Sequence, residues 1–551
     1  MSHPKFWIGP ALFVGCLLLG TWLRWEYPRD WLQPNTGPDE PAYSPYMVEA
    51  DAYTRLIRVR NILDGQGLVQ SFHPHENYPE GITPSTTLPF DLVILSLHPI
   101  MSLWSAEPLD WAGAFAAYVC FPIIFVLLYF WSGRLGWRWE ARGLLLVGIT
   151  VTPGIMWATP FARPDHQALV LLMLSGGLAA ELIRWRPDRP DTVFWAALGG
   201  ACWAFALWTS LFEPLILFAL ILVTNLIARR REQHPFLISF GVVAAVAILV
   251  EGAHLREIVG QAFSTVSDDQ IRSALGRWSE TVNELKPMYL SLWHLSVNLT
   301  ALVWLLPVTI ACLYRQSGLR LEHHLLTGMT VLLTLFAIFQ VRWFYYATLG
   351  LLLLTALWIH REKLAVLRYG AVTIVGLSWI VCWAAMFGEQ NDPEKKQPPV
   401  FPQVKQLARL ADQENSGSVM GVYWLSPAFS YFSGRPMVAS SSHLTIEGIV
   451  DTSRFFTTSS WIEANRIAQE REAGWILCFV PSYQHMMSEI ILGEKTDREK
   501  VRGLADLPVG FRLYVPEAAR AVPSRYQLVG VQPLMKLYRV APKPPPPSIT
   551  P

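Results

Sequence analysis

Charge is scarce in this sequence. Asp, Glu, Lys and Arg make up 16% of its 551 residues, against 52% apolar and 13% aromatic side chains, whereas roughly a quarter of an ordinary soluble domain is charged. The formal balance is +1, so no strong field of either sign points to nucleic acid or another highly charged partner. Cysteine is sparse too: Cys16, Cys120, Cys202, Cys312 and Cys382 fall in or beside apolar runs, and only Cys478 lies in the C-terminal tail. That tail cannot close an internal disulfide, and without a C-x-x-C pair neither a zinc ribbon nor thiol redox chemistry has support. No Gly-rich phosphate loop joins a strand to a helix, which disfavours nucleotide-driven chemistry.

What is present is apolar length. Runs able to cross a bilayer as helices occur near 6–23, 111–131, 143–160, 167–183, 192–209, 211–228, 236–253, 293–314, 323–341, 343–359 and 370–388. The first run lacks a small-residue cleavage site and reads as a retained helix. Basic residues gather at Arg134/Arg138/Arg142, Arg184/Arg186/Arg189, Arg229/Arg230/Arg231, Arg315/Arg320 and Arg361/Lys363/Arg368, the pattern of cytoplasmic loops. The stretch 89–104 is short and contains His98 and Pro99; counted as a crossing it would put the 132–142 arginines outside, so it reads as a membrane-embedded or interfacial part of the first external loop. The amino terminus is then cytoplasmic. Residues 1–388 read as a transmembrane domain with large external loops at 24–110 and 255–290, and 389–551 as an external soluble α/β domain ending in a polyproline or disordered PKPPPPSITP.

Three external segments each offer a carboxylate: VEADAYTRLIRVRNIL contains Asp51, FARPDHQ contains Asp165, and SETVNELKPMYLSLW contains Glu284. Taken singly, Asp51 reads more readily as a helix cap, Asp165 as readily a cap as a site residue, and Glu284 more readily as a solvated loop acid. Taken together, with helices able to converge them, they form an oxygen-rich set suited to Mg²⁺ or Mn²⁺. VRWFYYATLG places Arg342 at the outer end of a crossing among aromatics, either as a snorkelling anchor or as a bidentate phosphate ligand.

In this order the motifs resemble those of the catalytic subunit of oligosaccharyltransferase, most closely its single-subunit archaeal and bacterial forms. EADAYTRLIRVRNIL is similar to the family's first acidic motif, and HPHENYPEGITPSTTLPFDLVI to its Asn-Tyr-Pro-x-Gly stretch and following apolar segment. RPDHQAL resembles the second acidic motif, TVNELKP the Thr-Ile-x-Glu pattern and VRWFYYA the Arg-Phe-x-x-Tyr-Ala element. The resemblance implies a polytopic α-helical membrane protein of the GT-C glycosyltransferase type, with about 11–13 crossings. It also implies a glycan donor linked to a polyprenyl lipid by phosphate or pyrophosphate, an acceptor protein on the external side and inversion at the anomeric carbon. Asp51, Asp165 and Glu284 would surround the metal, Arg342 would hold the leaving phosphate, and Asp51 with Glu284 would engage the acceptor. A chain acting without partner subunits would suit a bacterial inner (plasma) membrane.

Two departures bear on this expectation. The second acidic motif usually carries Asp, Glu or His two residues after its first Asp, where this chain has Gln167; an amide oxygen still ligates but brings no charge. His166, or His73 or His75 in the first external loop, would complete the shell, although a lone histidine is more often structural. In the tail, GVYWLSPAFSYFSGRPMVA stands in place of the Trp-Trp-Asp-Tyr-Gly motif, with Tyr423, Trp424 and Leu425 as acceptor contacts and Leu425 where the motif aspartate belongs. The family uses that motif to recognise the hydroxyl of a Ser or Thr two residues beyond the acceptor asparagine. The acceptor here is therefore open between asparagine in a protein and another class, a protein hydroxyl, glycan or lipid.

Overall fold

The computed structural model describes residues 5–27, 31–34, 43–184, 192–227, 234–267, 269–316, 321–390, 399–412, 417–495 and 503–541. Arg186, Arg189, Arg229, Arg230, Arg231, Arg320 and the Pro-rich end expected from the sequence lie outside these residues. The chain divides into two compact units, one of Met1–Trp31, Thr86–Gly252 and Asn283–Lys396, the other of Leu32–Ser85, Ala253–Val282 and Gln397–Pro551.

The first unit is helical. Six helical stretches among the described residues are long and apolar enough to cross a membrane: Pro108–Arg134, Gln167–Arg184, His234–Gly260, Leu292–Tyr314, Val341–Arg361 and Ala365–Gly388. Shorter apolar helices occupy Leu88–Met101, Val193–Thr209, Phe212–Thr224 and His323–Phe339. The expected run 143–160 is two helices, Trp139–Val151 and Pro153–Ala158. Thr152 turns to an extended ψ of 125° and Pro153, which has no N–H to lose, starts the second.

Helices of two kinds make up the unit. On His234–Ser267 and Ala365–Gln390, side chains such as Leu249, Val366 and Ile380 are at least 66% exposed, as an apolar surface facing lipid requires. By contrast, every residue from Phe344 to Ile359 is buried. The helix Gln167–Arg184 is just as enclosed, and glycines let its neighbours approach: a Cβ on Gly176 would sit 2.6 Å from Cys202 Sγ, and one on Gly177 2.9 Å from the Trp203 ring.

Arg24, wholly buried, fastens the break after Val151. It donates to Ile149 O at 3.0 Å and Thr150 O at 3.1 Å, carbonyls that a helix end leaves without partners, and to Thr159 Oγ1 at 2.8 Å. Its own carbonyl accepts from Phe161 N, while Ala114 O accepts from Ala162 N. The turn leading into RPDHQ is thereby fixed at both ends.

The second unit is mixed. A short hairpin-like pair, β1 (Leu32–Pro34) and β2 (Tyr43–Pro45), is antiparallel. The main sheet contains β3 (Ser418–Gly421), β4 (Ala473–Phe479), β5 (Tyr526–Gln532) and β6 (Met535–Val540) in the order β3-β4-β6-β5. β3 and β4 are parallel, joined through helices Ser426–Ser433, Ile446–Thr457 and Trp461–Glu470, and the other pairs are antiparallel. β4, interior with β6, is buried along all seven of its residues. This is the α/β character expected of the tail.

The HPHENYPEG stretch packs within this same unit. His73 and Ile82 close it with a backbone bridge, His75 O accepts from Met437 N, and Asn77 Oδ1 accepts from Gly448 N at 3.0 Å. Gly448 is there because a Cβ would lie 1.9 Å from Val438 O and 2.9 Å from Asn77 Oδ1. Gly448→Ala should therefore lower stability by about 1–3 kcal/mol, read as a reduced melting temperature of the purified protein; an unchanged melting temperature would show that this loop is not held as described.

Candidate active site

The candidate site of the first unit is built from turns at or near helix ends. Arg163 closes the turn after Pro153–Ala158, Asp165 and His166 precede the helix Gln167–Arg184, Glu284 sits in the short turn Asn283–Leu285, and Arg342 in the turn Val341–Trp343. The last two turns are tied together, since Val341 N donates to Lys286 O at 3.0 Å.

Arg163 is the hub of this arrangement. Its side chain is 2% exposed and its guanidinium reaches Trp157 O at 2.7 Å, Tyr345 Oη at 2.8 Å, Asp165 Oδ2 at 3.6 Å and Glu284 Oε1. Tyr345 Oη in turn stands 3.4 Å from the same Glu284 oxygen. A guanidinium offers five donors in a fixed plane, so one residue can hold two carboxylates whose charges would otherwise repel. Oxygens of Asp165 and Glu284 accordingly lie within 4.8 Å of each other. Asp165 is also oriented locally: His166 Nδ1 is 2.8 Å from Oδ1, which accepts from Gln167 N at 3.3 Å as well.

Arg342 lies within electrostatic reach of Glu284. Its guanidinium pairs with Glu213, a fully buried acid in the first turn of helix Phe212–Ile227, whose other oxygen accepts from Ser210 Oγ at 2.6 Å. The Arg342 side chain remains 26% exposed. Neither Arg163 nor Glu213 stands out in the sequence as a site residue. An acid inside the apolar run LFEPLILFALIL is nevertheless a signal, because a carboxylate there requires a partner.

The oxygen donors fit a hard divalent cation. Asp165 and Glu284 supply charge, and Gln167, 2% exposed, carries an Oε1 with no hydrogen-bond partner among the described residues, a buried acceptor for which a ligand would compensate. His166 is engaged by Asp165, so its placement is that of an orienting group.

The remaining expected residues belong to the second unit. Asp51 is exposed in the first turn of helix Ala50–Leu63 and lies within electrostatic reach of Tyr423. Tyr423 Oη is 2.9 Å from Thr281 Oγ1. Burial holds this phenol above its usual pKa, reinforced by Tyr483 and Asp51 and opposed by the Thr281 hydrogen bond. Trp424 stacks edge-on against Phe479 with centroids 5.0 Å apart. Leu425 is 0% exposed; Ser426, the hydroxyl beside it, is also buried and donates to Val422 O at 3.1 Å. His75 is exposed and contributes its backbone to the docking of its loop.

No protein-family model matches the chain, and no curated protein matches it by sequence. Solved structures do match by fold. Archaeal oligosaccharyltransferase AglB from Archaeoglobus fulgidus, in complex with an inhibitory peptide and a dolichol-phosphate, aligns with a TM-score of 0.64 at 14% identity over 93% of this chain and 73% of that one. The same organism's oligosaccharyltransferase in complex with Zn and sulfate aligns at 0.62 and 14%, over 96% and 73%. ArnT from Cupriavidus metallidurans bound to undecaprenyl phosphate aligns at 0.57 and 11%, over 97% and 98%. The chain thus shares the fold of these solved structures, the fold class that the motifs imply.

If the carboxylates are cation ligands, Asp165→Asn and Glu284→Gln should each weaken Mn²⁺ binding by at least about tenfold, measured by electron paramagnetic resonance of free Mn²⁺ over purified protein. Wild-type affinity in both variants would remove them from a metal site.

Proposed function

We propose that this chain is a glycosyltransferase that takes a glycan from a polyprenyl (pyro)phosphate-linked donor and transfers it, with inversion and with Mg²⁺ or Mn²⁺, to an acceptor protein on the external side of a bacterial inner membrane. The observation that carries this reading is the pairing of Asp165 with Glu284 through Arg163, with Arg342 in electrostatic reach, at the ends of helices in this fold. Its support from related folds is that AglB is described with a dolichol-phosphate, ArnT with undecaprenyl phosphate, and the oligosaccharyltransferase with Zn and sulfate.

The chemistry follows from charge. Cleaving a sugar–phosphate bond builds negative charge on the departing phosphate, and a preorganised guanidinium stabilises that charge most as it develops. Arg342 takes this role, its planar fork matching phosphate oxygens. Asp165, Glu284 and Gln167 would hold a divalent cation, which supplies Lewis-acid stabilisation when bound. Glu284, whose side chain is partly exposed, accepts hydrogen bonds from the nucleophile of the acceptor. For an asparagine amide, such bonds from both N–H groups orient the nitrogen and weaken its conjugation with the carbonyl.

A second reading of the acceptor, one other than asparagine, rests on Leu425 and Ser426. A site that recognises a substrate hydroxyl needs an accessible polar group, and here the leucine is apolar and the serine hydroxyl beside it is, like the leucine, 0% exposed. Transfer to paired peptides separates the cases: the preference for Asn-x-Thr over Asn-x-Ala should stay below about a hundredfold. A larger preference would mean that another group in the second unit replaces the aspartate, and an absence of transfer to either peptide together with transfer to a glycan or lipid would establish the other acceptor class. In whichever assay shows turnover, Asp51→Ala, Asp165→Ala and Glu284→Ala should each lower kcat by at least about a thousandfold in folded protein. Full activity in any one removes that residue from the mechanism.

A further inference from the structure

We propose that Glu213 is a positioning residue that fixes the Arg342 guanidinium for an anionic phosphate, an inference that rests on the phosphate-binding role given to Arg342 above. Glu213 follows Phe212 at the start of an apolar helix and is 0% exposed. A carboxylate so placed is costly unless both oxygens are engaged. Here they are: Oε2 accepts from Ser210 Oγ at 2.6 Å, and Oε1 pairs with Arg342 Nη2. The acid is thus immobile from its own side, held by a residue three positions earlier, and what it immobilises is the arginine.

The remaining geometry points toward a ligand. Arg342 Nε is buried and has no hydrogen-bond partner among the described residues, and the same is true of Tyr346 Oη. Tyr346 is within electrostatic reach of Arg342, Glu213 and Asp165, and Glu213 is within reach of His166, which is bonded to Asp165. With Nη2 committed to Glu213, the guanidinium plane is set and the Nε edge keeps a donor to spare. A phosphate oxygen is an acceptor suited to that donor. An arginine without its carboxylate would still be cationic but would lose the orientation that makes two-point recognition of phosphate possible.

The test uses full-length protein in nanodiscs with undecaprenyl phosphate as probe, comparing wild type, Glu213→Gln, Glu213→Asp, Arg342→Ala and the double variant Glu213→Gln/Arg342→Ala. Glu213→Gln should raise the Kd for the lipid phosphate about tenfold, Glu213→Asp should fall between it and wild type, and the double variant should bind no worse than Arg342→Ala, the mark of two residues acting as one. Mn²⁺ affinity should be unchanged in Glu213→Gln, which a general loss of structure would not allow. Wild-type lipid affinity in Glu213→Gln, or additive losses in the double variant, would overturn the proposal. Should Glu213→Gln not fold, Ser210→Ala frees the other oxygen and must give a smaller loss of the same kind; none would again overturn it. Failure of the wild type itself to bind undecaprenyl phosphate would instead refute the donor reading, and this inference with it.

Discussion

Two ionised carboxylates kept close in a largely apolar helical unit need a cation between them, and in this molecule Arg163 reaches both. It is buried, it reaches Asp165 and Glu284 from one guanidinium, and it is itself fixed by Trp157 O and Tyr345 Oη. The two acids are 119 positions apart in sequence, so everything that orders their separate turns is in the service of this contact. Removing either carboxylate would leave the buried Arg163 guanidinium with fewer partners, which is the costly part of breaking the set.

The rest of the first unit can be understood as support for those turns. Arg24 ties the carbonyls released at Val151 and anchors Phe161; glycines at 176 and 177 let the helix that starts at Gln167 pack against Cys202 and Trp203. The wholly buried helix beginning at Phe344 carries Tyr345 on its first turn, next to the turn bearing Arg342. Rigid helices bearing functional groups at their ends hold them more exactly than loops do. The scarcity of charge in the sequence has a counterpart here, in that several of the buried charges are engaged in this cluster or in pins such as Arg24.

Much of this was legible in the sequence. Long apolar runs gave the membrane helices, and Asp165, Glu284 and Arg342 were marked out by the motifs around them. Their partners were harder to read. Arg163 adjoins Asp165 in RPDHQ and looks like ordinary loop punctuation; only the fold shows that it also reaches Glu284. Glu213 interrupts an apolar run, a sign that it needs a cation, but the identity of that cation depends on tertiary contact with a turn 129 residues away. The long loop expected over 255–290 is substantially helical, because His234–Ser267 continues past the apolar stretch and Asp269–Ser279 follows it; apolar periodicity marks where a helix meets lipid and says little of where it ends. In the second unit the substitution at Leu425 was visible, whereas its complete burial and the commitment of Ser426 to Val422 were not.

The account stands on Arg342 receiving a lipid phosphate beside a cation held by Asp165 and Glu284. Cryo-electron microscopy of the wild-type protein in nanodiscs with undecaprenyl phosphate and Mn²⁺ tests this most directly. The account predicts phosphate density within hydrogen-bond distance of the Arg342 guanidinium and a metal peak against the oxygens of Asp165, Gln167 and Glu284. A lipid phosphate bound away from Arg342, with no metal at those oxygens, would contradict it.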